Sequence, residues 1–70
     1  MKISARNQLK GKVKKVTEGS INTEVIIELA KGVEIAAMIT KTSAEDMGIK
    51  KGKEVYAIIK ASNVMVGVDH

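Results

Sequence analysis

The stretch NTEVIIELAKGVEIAAMITKTSAEDMG, residues 22–48, holds two β-rich runs, a short break and one helical segment. In NTEVIIELA, Thr23, Val25, Ile27 and Leu29 form an inward set, with Glu24 and Glu28 outward. That is the period-two pattern of a half-buried strand. In VEIAAMIT the inward set is Val33, Ile35, Ala37 and Ile39. The AKG connection is tight, so the two runs should form a hairpin. In KTSAEDMG, Thr42 and Glu45 have capping-box spacing and Gly48 suits a C-terminal stop. The segment is expected to make one or two helical turns.

Outward from this stretch the chain continues as strands. Upstream, QLKGKVKKV places Leu9, Gly11 and Val13 on one face and Gln8, Lys10, Lys12 and Lys14 on the other. Gly11 inside a strand suggests a bulge or a close backbone approach. TEGSIN turns the chain into the hairpin. Downstream, IKKGKE is a turn, VYAIIKA a fourth strand and NVMVGV a fifth. Three strands, a short helix and two more strands give an all-β fold with one short helix. This is the order of a five-stranded Greek-key OB-like barrel. A single domain over residues 1–70 is expected, with no internal repeat or linker.

Size and composition limit what such a barrel can do. Seventy residues bury too little surface for high stability, and small scaffolds usually carry a staple. There is no cysteine, and the one histidine, His70, is the last residue, so a disulfide or a structural zinc is out of reach. The remaining staple is oligomerisation. Strand four is apolar on both faces, with Val55, Ala57 and Ile59 on one and Tyr56 and Ile58 on the other. Ala36, Met38, Val64, Met65 and Val66 extend the second apolar face. A small barrel has one inside, so that face calls for a second chain, although scattered exposed hydrophobes are also ordinary. No run is long enough to span a membrane, and the N-terminus does not read as a signal peptide. A soluble, cytosolic chain is expected. The net charge of +4 favours anionic partners. With one tyrosine and no Phe or Trp, the chain offers almost no platform for stacking bases, which argues against nucleic acid.

Three short segments concentrate hydrogen-bond donors. Ser4 and Arg6 lie two apart, so an extended chain presents a hydroxyl and a guanidinium on one side, with the Ala5 backbone between them. Thr40-Lys41-Thr42-Ser43 spans a strand end and a helix start, where unpaired N–H groups favour anions. Lys60-Ala61-Ser62-Asn63 follows a buried run at the junction of strands four and five. Each has an ordinary alternative: a solvated arm, an N-cap provided by Thr42 or Ser43, and an edge lysine followed by a turn. Their shared feature is that all supply donors and none has a carboxylate in its core. A pocket made only of donors fits a fully deprotonated tetrahedral dianion. A protonated phosphate would need an acceptor.

The segments SARNQLKGKV, GSINTEV and TKTSAEDMGIKKGKEVYAIIKASNVMV resemble the molbindin family, also called Mop or molybdenum-pterin-binding-protein domains. The resemblance runs from about Ile3 to Val68 and is to the single-domain members. It implies an OB-like barrel, a homo-oligomer that is a hexamer built as a trimer of dimers, and binding of molybdate or tungstate in the cytoplasm for storage and homeostasis. It also implies a ligand set: Ser4, Ala5 and Arg6 from one subunit, and Thr40, Ser43, Lys60, Ala61 and Ser62 from a partner subunit. A second site type, on a threefold axis, is assigned to Gly19, Ser20, Ile21 and Asn22.

An enzyme is not expected. A Ser-His-acid triad would depend on the terminal histidine, and GIKKGKE is one residue short of a phosphate-binding loop, with Glu54 in place of Ser or Thr. The main alternative is a nucleic-acid-binding OB module, with Lys10, Lys12, Lys14 and Lys15 as a backbone-tracking stripe. A third reading is an assembly domain with an empty pocket.

Overall fold

The computed structural model describes residues 1–69; the expectations placed on His70 lie outside them. Four strands form one antiparallel sheet in the order β3-β2-β1-β4: β1 (Asn7–Glu18), β2 (Asn22–Ala30), β3 (Val33–Thr40) and β4 (Glu54–Ile59). A helix, α1 (Lys41–Asp46), joins β3 to β4, and a 3-10 turn, Ala61–Asn63, follows β4. The sheet curls into half a barrel.

The fifth expected strand is not there. NVMVGV contributes its first residue to the 3-10 turn, and the rest runs on without a strand partner among the described residues. Its β-branched residues give it strand propensity. A strand also needs a neighbouring backbone to pair with, and the chain places none beside it.

The hairpin reads as expected. Residues Asn22 to Ala30 pair with Val33 to Thr40 around Lys31-Gly32. Thr23, Val25 and Ile27 are buried, and Leu29, Ile35, Ala37 and Ile39 are half-buried beside them. Val33, at the tight turn, is exposed rather than inward.

In β1 the alternation breaks at Lys14. Val13 pairs with Ile27, but Lys15 pairs with Ile26, leaving Lys14 as an extra bulged residue. The bulge returns Val16 to the inner face opposite Val25, so Val13 and Val16 both point inward although three apart. Lys14 bonds Glu34 and lies 3.9 Å from Glu28. Gly11 is the close approach expected of it: a Cβ there would stand 2.6 Å from the Glu28 carbonyl oxygen and 2.8 Å from Ile27 Cγ2.

The helix starts two residues earlier than its capping-box spacing suggested. The N-cap is Thr40, not Thr42 or Ser43. Its backbone is still extended (φ −70°, ψ 152°), and its hydroxyl accepts from the Ser43 N–H at 3.1 Å. Two N–H groups close the other end, Gly48 to Glu45 O and Ile49 to Ala44 O, both at 3.0 Å. This is a Schellman stop, which requires a left-handed residue after the cap; Gly48 provides it at φ +63°.

The core is small and open. Val13, Val25, Ile27 and Ala57 are its buried centre. Beside them lies an apolar cavity of about 690 Å³, lined from β3 by Ile35, Ala37 and Ile39 and from β4 by Val55, Ala57 and Ile59. The radius of gyration, 13.0 Å, exceeds the roughly 11 Å of a compact chain of this length.

Candidate functional site

The arm ahead of β1 is held in place by the two amides that follow Arg6. Asn7 pairs with Ile59 across β1 and β4, and its side-chain Nδ2 donates to the Ile59 carbonyl at 3.1 Å. Gln8 Nε2 donates back to the Ala5 carbonyl at 2.9 Å. Ala5 is buried, while Ser4 and Arg6 on either side of it face out. These two anchors are not among the residues expected from the sequence, which are the donors alone. Their signal was there, as two consecutive amides at a strand entrance.

The antiparallel pairing then sets the neighbours. With Asn7 opposite Ile59, the next residue outward on each strand is Arg6 on one and Lys60 on the other. The 3-10 turn begins here, with Asn63 N–H bonding Lys60 O at 2.9 Å. Ser4, Arg6, Lys60, Ala61 and Ser62 together line one cleft of about 290 Å³. No carboxylate lines it among the described residues, and neither cation is in a salt bridge there. Two unpaired cations, two hydroxyls and backbone groups converge on a small opening. Such a set can satisfy an anion that brings acceptors only.

Thr40 and Ser43 lie elsewhere, at the junction of β3 and α1, and do not line this cleft. One chain therefore brings together Ser4 and Arg6 with Lys60, Ala61 and Ser62, and keeps the threonine–serine pair apart. Thr40 Oγ1 donates to Ser43 Oγ at 2.8 Å while accepting from the Ser43 N–H. Its hydrogen is thus engaged within the cap, and the hydroxyl hydrogen left free is that of Ser43.

Gly19, Ser20, Ile21 and Asn22 form the loop between β1 and β2 and line a cleft of about 490 Å³ with Thr17, Glu18, Glu24 and Met38. The Gly19 N–H is engaged by the Asn22 carbonyl at 2.8 Å, and Ile21 O accepts from the Lys41 N–H at 2.8 Å. Glu18 and Glu24 place negative charge at this opening, which disfavours a dianion.

The lysine stripe is partly neutralised. Lys10 lies 3.7 Å from Glu54, and Lys14 faces Glu34 and Glu28. The hydrogen bond to Glu34 and then its charge raise the Lys14 pKa above its ordinary value; desolvation opposes them, and the charge of Glu28 adds the smallest effect, also upward.

Comparison with known proteins gives a consistent result. The TOBE domain family matches residues 3–66. Molybdenum-pterin-binding protein 3 of Clostridium pasteurianum is 48% identical over 66 residues, covering 94% of this chain and 97% of that one. A molybdate-binding protein from Sporomusa ovata superposes with a TM-score of 0.90 at 35% identity, covering 97% of this chain and all of that one. The cytoplasmic molybdate-binding protein ModG, solved with molybdate bound, superposes with a TM-score of 0.91 at 46% identity, covering 97% of this chain and 48% of its own. The chain belongs to the TOBE domain family, and within it resembles the Mop-like molybdenum-pterin-binding proteins over nearly its whole length.

Proposed function

We propose that this protein binds molybdate or tungstate as a storage and homeostasis protein of the cytoplasm, and that it is a binding protein rather than an enzyme. The observation that carries the reading is the cleft with Arg6 and Lys60 adjacent, free of carboxylates among the described residues, on a fold shared with molybdate-binding proteins.

Arg6 offers a planar fork of donors and Lys60 a mobile ammonium, two positive charges against a dianion. Ser4 and Ser62 add hydroxyls, and the backbone at Ala5 and Ala61 adds N–H groups. Charge-assisted bonds are about twice as strong as neutral ones, so the two cations dominate affinity. Thr40 and Ser43 join the donor set from a neighbouring copy, since their own chain holds them away from the cleft. The assembly in this reading is a homo-oligomer, a hexamer built as a trimer of dimers. The loop Gly19 to Asn22 is the weaker site, because two glutamates share its opening.

A monoprotonated phosphate presents a hydrogen that needs an acceptor, and the cleft lining supplies no carboxylate to take it. Sulfate asks for the same donors as molybdate, so discrimination between them rests on anion size and on how the assembled site fits it. Equilibrium dialysis of the full chain against molybdate, tungstate, sulfate and phosphate tests the reading. Retention of the two larger dianions above the other two is expected; equal retention of all four contradicts it. The nucleic-acid alternative has no support among the relatives, and two of its four lysines, Lys10 and Lys14, are paired with glutamates.

A further inference from the structure

Arg6 and Lys60 are held in place without being neutralised. Two other cations of the sheet surface are steadied by carboxylates: Lys10 lies 3.7 Å from Glu54, and Lys14 bonds Glu34. A carboxylate beside Arg6 or Lys60 would cancel the charge a dianion needs, and among the described residues none makes an ion pair with either. The two cations still have to be fixed. One sits on an arm ahead of the first strand and the other just past the end of β4, and such places fray.

The chain fixes them through the backbone, with neutral amides. Each cation is entered by a peptide group whose carbonyl is claimed by a side chain at the start of β1. Gln8 Nε2 donates to the Ala5 carbonyl at 2.9 Å, which holds the peptide entering Arg6. Asn7 Nδ2 donates to the Ile59 carbonyl at 3.1 Å, which holds the peptide entering Lys60. A peptide group is planar, so a held carbonyl also sets the direction in which the next residue leaves it. Asn7 and Ile59 are the outermost pair of β1 with β4, so the Asn7 side chain adds a bond where the two strands would otherwise part. Gln8 pairs with Ile58 one step further in, and reaches back from ordered strand to the arm. Lys60 is held on its other side as well, by the Asn63 N–H on its carbonyl at 2.9 Å. Neither amide residue lines the cleft, which is bounded by Ser4, Arg6, Lys60, Ala61 and Ser62.

We propose that Asn7 and Gln8 are positioning residues of the anion site, setting Arg6 and Lys60 side by side before the anion arrives without touching it themselves. This rests on the reading of the cleft as a molybdate site and adds the residues that preorganise it. A side-chain amide suits the task because it donates to a carbonyl with no charge of its own. It neither pairs with the guanidinium nor competes with it for the anion. With both cations already in place, binding does not have to order them, a difference of roughly two- to tenfold in affinity for each anchor.

Calorimetric titrations of molybdate into the full chain test this. Gln8→Met and Asn7→Leu keep the bulk of each side chain and lose its donor. Each is measured alone and together with loss of the cation it serves, Arg6→Ala for Gln8 and Lys60→Met for Asn7. Gln8 is exposed, so Gln8→Met should leave the unfolding midpoint unchanged, and it carries the test even if Asn7→Leu loosens the sheet. Roughly two- to tenfold weaker binding is expected from either change alone, and almost no further loss once the served cation is gone. Backbone order parameters of the anion-free protein give a second readout: Arg6 should lie near about 0.85 in wild type and fall toward about 0.6 in Gln8→Met. Gln8→Met binding as tightly as wild type, or an Arg6 as ordered in it as in wild type, overturns the positioning role and leaves the molybdate site standing. An equal loss with and without Arg6 does the same, since it marks Gln8 as a ligand or as general scaffolding. A wild type that binds no molybdate overturns the site and the role of both amides with it.

Discussion

At the scale of single residues, the sequence is most explicit where geometry leaves no choice. Gly11 lies against backbone, so Gly11→Ala forces its Cβ into the Glu28 carbonyl. A loss of about 1 to 3 kcal/mol is expected in denaturant unfolding, as for other overpacked interiors. Thr23 is 1% exposed and its hydroxyl has no partner. Thr23→Val removes an unsatisfied polar atom without emptying the site, and a gain of about 1 kcal/mol is expected by the same measurement. Lys14 acts through charge. Its pKa is raised in the folded chain, so its contribution is complete below the ordinary lysine value of 10.5 and fades as pH climbs through the raised value. Thermal melts across that alkaline window should show a steeper loss in wild type than in Lys14→Met. The bulge that places Lys14 was not legible. Lys12, Lys14 and Lys15 are identical as letters, and only the pairing to β2 decides which one is extra.

At the scale of elements, the hairpin was legible because burial imposes a period-two pattern on its letters, and β4 because it is a short β-rich run bounded by a glycine turn. Thr23, Val25 and Ile27 show it most plainly. The helix was legible in place and length, but its start was not. Thr40, Thr42 and Ser43 can each cap a helix, and the choice falls to Thr40 because Asn22 holds it in the sheet as the last pair of β3. This separates two roles that one residue could combine. Thr40→Ala should cost about 1 kcal/mol of stability through the lost cap. Thr40→Asp keeps a capping oxygen, so its stability should stay near wild type, while its charge should weaken molybdate binding in the assembly. Parallel unfolding and binding titrations check both. Unchanged affinity in Thr40→Asp would remove this position from the donor set.

At the scale of the whole molecule, the chain reads as incomplete. A core centred on four buried residues, an apolar opening and an exposed valine-rich segment are consistent with the small size that sequence reading took as a reason to assemble. The fifth strand was misread for a related cause. NVMVGV has the composition of a strand, but composition does not say whether the fold sets an edge beside it. The proposed site was legible as donor chemistry, in that Ser4, Arg6, Lys60, Ala61 and Ser62, named from the sequence, line one cleft. Its partition was not, because the juxtaposition of Arg6 and Lys60 depends on the register of β1 against β4. Ligand linkage gives a further expectation: at 100 times its Kd, a bound anion adds about 2.7 kcal/mol of stability. Molybdate should therefore raise the melting temperature, and equal concentrations of phosphate should do so less. The most direct test of the central claim is a calorimetric titration of molybdate into wild type and Arg6→Ala. Clear binding in wild type and a loss of about 2 to 5 kcal/mol in the variant are expected. Arg6→Ala binding molybdate as tightly as wild type would contradict it.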